Sequence, residues 1–425
     1  MIPTPRITRR ALTAGAVPIL GLTLAACGGS GFEDADSDSG GTGSGGSDAG
    51  SGSGGALSVL IGSSGDAETK AVKDAVAAWS QQSGTAAEVI VASDLNQQLS
   101  QGFASGKPAD VFYLSTDALA GFAGNGSIEA YGDDLANKAD FFPKLVEAFT
   151  LDGTFYAAPK DFSTLALIIN SDLWSAAGLT DADIPTDWDG LHAAATKLTQ
   201  GDVVGLSMGA EYQRLGAFMA QAGGELVTDG RATADSPQNI EALTFVKSMM
   251  ADGSLKFAKD LGAGWGGEAF GKGLAAMVIE GNWITGALSN DFPDVKYRVV
   301  ELPAGPGGKG TLQFSNAWGL AAGSTNKDQA RSLIEHLTSP EQQMAFAKAF
   351  GVMPSVQSTA EDWSAEYPDL APFMAGAGYA KNPPAQAGTS DVIADLNSQL
   401  ETLGSSDPKT ILNSVQTNLQ AALGG

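Results

Sequence analysis

Three tryptophans stand in turn-like surroundings: Trp265 between Gly264 and Gly266, Trp283 after Gly281-Asn282, and Trp318 before Gly319. Carboxylates occupy comparable places, with Asp117 just beyond the apolar run that ends at Leu114 and Asp161 shortly after Pro159. An indole offers a flat apolar face, and a carboxylate accepts hydrogen bonds that its charge shortens and strengthens. The chemistry of such a set is non-covalent recognition. Groups for covalent chemistry are scarce. His192 and His336 are the only histidines, and both fall in helical stretches, Asp189–Lys197 and Asp328–Leu337. Neither lies near a Gly-x-Ser-x-Gly elbow or a metal-ligand spacing, so a serine hydrolase, a zinc enzyme, a bound metal and a cofactor are all unexpected. No Walker-type phosphate loop occurs. Paired carboxylates of a glycoside hydrolase stay open among 48 acidic residues, because their separation is set in three dimensions.

Short apolar runs and amphipathic stretches must hold these groups in place. Leu57–Ile61 reads as a buried strand, followed by a helix with Ala71, Val72, Ala75, Val76 and Trp79 on one face and Gly84 as its stop. The strand Ala87–Val91, a helix around Leu95–Phe103 and the strand Val111–Leu114 follow. Alternation of this kind implies a parallel sheet covered on both faces, with ligands at the carboxyl ends of its strands. The turns Gly62–Glu68 and Ser115–Asp117 are the first places to look. Leu165–Ile169 and Ala275–Ile279 read as interior strands. Ser339-Pro340-Glu341-Gln342 starts a helix, with Gln342 expected to complete a capping box and Gly351 to end it. Asp407-Pro408 opens a last helix carrying Ile411, Leu412, Val415 and Leu419 on one face.

The amino-terminal end has a different character. Arg9-Arg10 precedes an uncharged segment, Ala11 to Ala26, of about 16 residues, short of the ~20 that a membrane-spanning helix needs. A positive start, an apolar centre and small residues before a cut describe a secretory signal peptide over 1–26. Leu24-Ala25-Ala26-Cys27 resembles a bacterial lipobox, which implies cleavage and lipidation of Cys27, the single cysteine. Arg9-Arg10 suits twin-arginine export and general secretion equally. Residues 27–56 then read as an anchor and a Gly/Ser/Asp linker, spanning about 30 Å as a random coil. With 24 basic against 48 acidic side chains, the surface repels nucleic-acid phosphates and favours solubility.

Four segments carry a resemblance. Asp152–Gly178 reads DGTFYAAPKDFSTLALIINSDLWSAAG, with Gly153, Tyr156, Pro159, Asn170, Asp172 and Leu173 in a recurrent pattern. Ala109–Phe112 with Asp117, Phe270–Met277 through Gly281-Asn282-Trp283, and Asn316–Ala321 complete it in order. Together they resemble the extracellular solute-binding proteins of ABC importers, in the family 1 group that includes the maltose-binding protein. The resemblance runs from about Leu57 to the carboxyl terminus. It implies a periplasmic-binding-protein-like α/β fold of two lobes joined by a multi-segment hinge. The expected lobes are 57–165 plus 318–354 and 166–317 plus 355–425. It also implies a carbohydrate ligand held between them, a membrane permease as partner with ATP used by separate subunits, and a monomer tethered outside the cytoplasm.

In a sugar site, aromatic rings stack on pyranose C–H faces while carboxylates and amides take the hydroxyls. Trp283 matches the family's stacking position; the alternative is a core residue covering the sheet end. Trp318 either lines the cleft or packs the hinge, and Trp265 is either a wedge or part of a disordered Gly-rich loop. Asp117 matches a hydroxyl-binding position and equally suits a helix cap. Asp161 and Phe162 supply an acceptor and an apolar face. Glu68, Asp66 and Gln97 are contacts or else caps and solvated surface, whereas Tyr212 and Glu211 would contribute from the second lobe. The pattern departs from the maltose-binding one at Ser163, where that group carries an acid, and at Ala118, where it carries an arginine. A non-sugar solute such as a polyamine or an anion is the alternative ligand, and an exported glycan-active enzyme or an adhesin is the alternative class.

Overall fold

In a computed structural model that describes residues 56–424, apolar runs bounded by turns become the strands of one ten-stranded sheet. The signal segment, Cys27 and the linker through residue 55 lie outside the described residues. The strands are β1 (Leu57–Ile61), β2 (Ala87–Val91), β3 (Val111–Ser115), β4 (Ala158–Asn170), β5 (Val204–Met208), β6 (Leu255–Phe257), β7 (Ala275–Gly281), β8 (Tyr297–Val300), β9 (Thr311–Leu320) and β10 (Ala380–Lys381). Their order is β6-β5-β7-β4-β9-β3-β1-β2, with β8 also paired to β4 and β10 to β9. β1 runs parallel to β2 and β3, and β5 parallel to β6 and β7. Between these parallel groups lie β4 and β9, antiparallel to each other.

These two strands serve both ends of the sheet. Ala158–Thr164 of β4 pairs with β9, while Leu165–Ile169 pairs with β7 and Leu167–Asn170 with β8. Along β9, Asn316–Leu320 also pairs with β3. All 13 residues of β4 are buried. The expected strand Leu165–Ile169 is therefore one half of a longer element.

The helices that cover the sheet include α1 (Asp66–Ser83), α2 (Leu95–Ala104), α3 (Thr116–Gly124), α4 (Trp188–Leu198), α5 (Tyr212–Gln221), α6 (Pro237–Ala251), α7 (Trp283–Asp291), α8 (Lys327–Leu337), α9 (Pro340–Phe350), α10 (Thr389–Leu400) and α11 (Pro408–Ala422). Val72, Ala75, Val76 and Trp79 of α1 are buried, and Gly84 ends it in the left-handed conformation. Ser339 caps α9 by accepting the Gln342 N–H. The Gln342 side chain makes no reciprocal bond, so only half of the expected capping box forms. Ile411, Leu412, Val415 and Leu419 of α11 all face the interior.

Two large apolar cores result. One gathers β1, β3, α1 and α8 around residues such as Val59, Trp79, Phe112, Trp318 and Leu333. The other gathers β5, β7 and α4, α5, α6, α10 and α11 around Leu206, Phe218, Val246, Leu396 and Leu412. Along β4 the change of core falls between Ala158 and Leu165, and along β9 between Leu312 and Ala317. A smaller core with Phe162, Phe270, Met353, Trp363 and Phe373 packs beside them. Among the described residues no helix is long and apolar enough to cross a membrane.

Candidate ligand-binding cleft

Where β4 and β9 pass from one core to the other, a cavity of about 470 Å³ opens over them. Such a volume lies within the usual range for small-molecule sites, roughly 300–1,000 Å³. The β1–α1 turn gives Gly62 and Ser64, the first turn of α1 gives Glu68, and the start of α3 gives Thr116. These lie at carboxyl ends of parallel strands, as expected of an α/β sheet. β4 supplies Lys160 through Ser163, β9 supplies Gln313 through Asn316, and Asn282 and Trp283 enter after β7.

The register of β4 against β9 explains one wall. Asn316 faces Asp161 while Ala317 faces Pro159, so Lys160 is left unopposed. A bulge of this kind re-aims side chains, and Pro is tolerated there because it donates no ladder hydrogen bond. Lys160 is thereby turned to a buried carboxylate pair. Its Nζ lies 3.2 Å from Glu68 Oε1, contacts Asp161 Oδ2, and sits 4.5 Å from the centre of the Tyr113 ring. Glu68 also accepts the Ser64 N–H and Oγ–H at 2.7 Å each and the Tyr113 hydroxyl at 2.9 Å.

Burial alone would raise the Glu68 carboxyl, but Lys160 and the donors Ser64 and Tyr113 hold it below the usual glutamate value. For Asp161, burial and the like charge of Glu68 outweigh Lys160 and push the carboxyl up. Burial opposes charge on Lys160, yet Asp161, Tyr113 and Glu68 raise its pKa, so the ammonium stays protonated. Two carboxylates thus share one cation. Among the described residues lining this wall, no cation is left free.

Another wall of the cavity is built on Trp283, which is 38% exposed. Its Nε1–H donates to Glu280 Oε2 at 3.1 Å, and Arg214 Nη2 donates to the same oxygen at 2.6 Å. The Arg214 guanidinium lies 5.2 Å from the centre of the Trp283 ring and also pairs with Glu211 at 2.9 Å. Phe314 meets the ring edge-on at 5.7 Å. Gly281 leaves the ring its space, since a Cβ there would come within 2.1 Å of it. Glu280 is fully buried, and burial, opposed by Arg214, pushes its carboxyl up. Asn282 ties this wall to neighbouring segments, donating its N–H to Ser163 Oγ at 3.2 Å and its Nδ2–H to the Gly351 carbonyl at 2.8 Å.

The structure brings Glu68, Asp161, Phe162 and Trp283 together in this cavity. Tyr212, the first residue of α5, lines a smaller adjoining cavity. The other candidates lie elsewhere. Asp117 is exposed in the first turn of α3, and the cavity is met instead by Thr116, one helical step of about 100° away. Asp117 does not cap α3 either, since the residue before the helix is Ser115. Trp318 is 1% exposed, packed edge-on to Tyr113 inside the first core. Trp265 precedes the short helix Gly266–Gly271, half-buried against the third core, with its ring filling the space a Cβ on Gly267 would take. Gln97 is exposed on α2 and Asp66 on α1, both apart from the cavity.

Lys160, Arg214 and Glu280 escaped the sequence reading. A signal existed for the first: a Lys-Asp pair inside the run Ala157–Asn170, where charges are buried only when partnered. Arg214 and Glu280 are separated by 66 positions and carried no local signal. Among the described residues no cluster of three or more His, Cys, Asp or Glu is arranged to hold a metal.

Two cores sharing two strands, with a cavity lined by aromatic rings and polar side chains at the crossing, define an α/β binding protein of the periplasmic-binding-protein type. The chain belongs to the bacterial extracellular solute-binding protein family, whose pattern matches residues 74–373. A binding protein of Brucella abortus is 27% identical over 357 residues, 79% of this chain and 85% of that one. The diacetylchitobiose binding protein of Streptomyces coelicolor is 25% identical over 276 residues, 62% of this chain and 64% of that one. The fold is similar to the crystal structure of a cyclic alpha-maltosyl-1,6-maltose binding protein from Arthrobacter globiformis, with a TM-score of 0.77 and 21% identity over 87% of this chain and 99% of the other.

Proposed function

We propose that this protein captures a neutral sugar or oligosaccharide in the cavity over β4 and β9 and delivers it to a membrane ABC permease, without chemical turnover. The observation that carries this reading is the Trp283 ring, anchored by Glu280 and Arg214 in the same cavity as the Glu68–Lys160–Asp161 cluster. A ring face for pyranose C–H groups and acceptors for hydroxyls are the two surfaces that a sugar needs. Lys160 and Arg214 are each paired with carboxylates, which disfavours an anionic solute. The diacetylchitobiose and cyclic maltosyl-maltose proteins named above point to the same ligand class.

In this reading the lobes are 57–165 plus 318–354 and 166–317 plus 355–425, and they close on the ligand about the crossing strands. Contacts made with both lobes favour the closed form by their differential free energy. Cys27 carries the lipid anchor, and the linker through residue 55 keeps a monomer close to the permease on the outer side of the membrane. Incubation with mono- and oligosaccharides, followed by melting temperature and product analysis, tests the reading. A rise in Tm without product is expected, since a ligand that binds only the folded state stabilises it. Turnover of the saccharide would replace the receptor with a glycan-active enzyme.

A further inference from the structure

Beneath the Trp283 ring, two charged side chains are only half joined. Arg214 Nη2 donates to Glu280 Oε2 at 2.6 Å, and the same oxygen accepts the Trp283 indole N–H at 3.1 Å. On its other side the guanidinium is held through Nη1 by Glu211 at 2.9 Å. Two atoms are left over. Arg214 Nε and Glu280 Oε1 are both buried, and neither has a hydrogen-bond partner among the described residues. Nε and Nη2 are the two donors of the guanidinium's side-on fork, and the two oxygens of a carboxylate are its complement. The leftover atoms are therefore the ones that would complete a bidentate contact whose first bond is already made.

Buried donors and acceptors of charged groups are costly to leave unpaired, so the half-made fork has a physical alternative close at hand. In the present arrangement Oε1 lies against Gly266, where an added Cβ would come within 2.6 Å of it, and Oε2 serves both donors. The ring, for its part, has somewhere to go. It is partly exposed and borders the cavity of about 470 Å³, and Phe314, which meets its edge, lines that cavity too.

We propose that Glu280 is a positioning residue with two settings. In the one seen here Oε2 holds the indole, and the ring stands as a platform at the cavity. In the other the carboxylate turns to complete the fork with Arg214, and the ring is released into the cavity. The consequence for binding rests on the saccharide reading above: a ligand that stacks on the ring selects the held setting, and the apparent affinity is reduced by the fraction of molecules that occupy it.

Indole 1H–15N relaxation dispersion on the unliganded full chain tests the two settings, because it reads exchange on the microsecond-to-millisecond scale. The chain has seven tryptophans, and Trp283→Phe identifies the signal concerned. That signal should show exchange in the wild-type protein. Arg214→Lys keeps a charged donor for Oε2 but has no fork, so the exchange should vanish. Glu280→Gln keeps an oxygen for the indole and withdraws the charge from the fork, with the same result. In calorimetric titration the saccharide that most raises Tm should bind both variants more tightly, about twofold if half of the wild-type molecules are in the released setting. A pair with a structural role alone would give weaker binding in both. A Trp283 signal free of exchange in the wild-type protein, or weaker binding by both folded variants, would overturn the two settings and leave the saccharide reading intact. If no saccharide binds any of the three proteins, the saccharide reading falls, while the dispersion of the unliganded protein still decides between one setting and two.

Discussion

Replacing Lys160 with methionine should destabilise the protein by about 3–5 kcal/mol, the range for breaking a buried ion pair from one side. Lys160, Glu68 and Asp161 have side-chain exposures of 8%, 5% and 12%, so water screens this cluster little. At the 3.2 Å separation from Glu68, unit charges attract by about 5 kcal/mol at an effective dielectric of about 20. Relief of the Lys160 desolvation offsets part of that loss. Methionine keeps most of the stem's packing, and so the deficit reports charge rather than volume. Urea denaturation at pH 7 measures it. Repeating the measurement at pH 5 supplies the sign. Asp161 already has a raised carboxyl, and without Lys160 it rises further, so it takes up a proton on folding as pH falls. The deficit of the variant should therefore shrink toward acid. A loss below about 1 kcal/mol at pH 7, the level of an exposed pair, would refute the reasoning, as would a deficit independent of pH.

Gly281→Ala would bring a Cβ within 2.1 Å of the Trp283 ring, which must swing aside. Near-UV circular dichroism should change, with saccharide affinity falling about tenfold, the scale of a lost hot-spot contact; an unaltered spectrum and affinity would contradict the assigned ring position. Glu68 has a folded pKa below the ordinary value of 4.5, so its stabilisation is full above that pH and is lost as pH falls through its folded value. Glu68→Gln should accordingly flatten the acid side of the stability–pH curve, read by denaturation between neutral and acidic pH.

Much of the fold was legible because it rests on local rules. The α1 stripe, the Gly84 and Gly351 stops and the α11 face each follow from helical periodicity and left-handed glycines. The cleft was half legible. Trp283, Asp161 and Phe162 were found through motif spacing, and Glu68 through its place after the first strand. Asp117 and Trp318 illustrate the limit, since a motif locates the element but not the face on which each side chain emerges. A single helical step gives the cavity to Thr116, and Trp318 lies two residues beyond the lining stretch of β9, within the first core. The Lys160 bulge was illegible as geometry because register between β4 and β9 joins residues over 150 positions apart. The Arg214–Glu280 support of Trp283 likewise depends on tertiary pairing alone.

The account turns on Trp283 as the binding platform, and one titration addresses it directly. The saccharide that gives the largest rise in Tm should be titrated calorimetrically into the wild-type protein and into Trp283→Ala. With the ring 38% exposed at the cavity, its loss should weaken binding by about 1–3 kcal/mol, roughly five- to 150-fold, with little change in fold. Equal affinity for the two folded proteins would contradict the account and return Trp283 to a structural role at the end of the sheet.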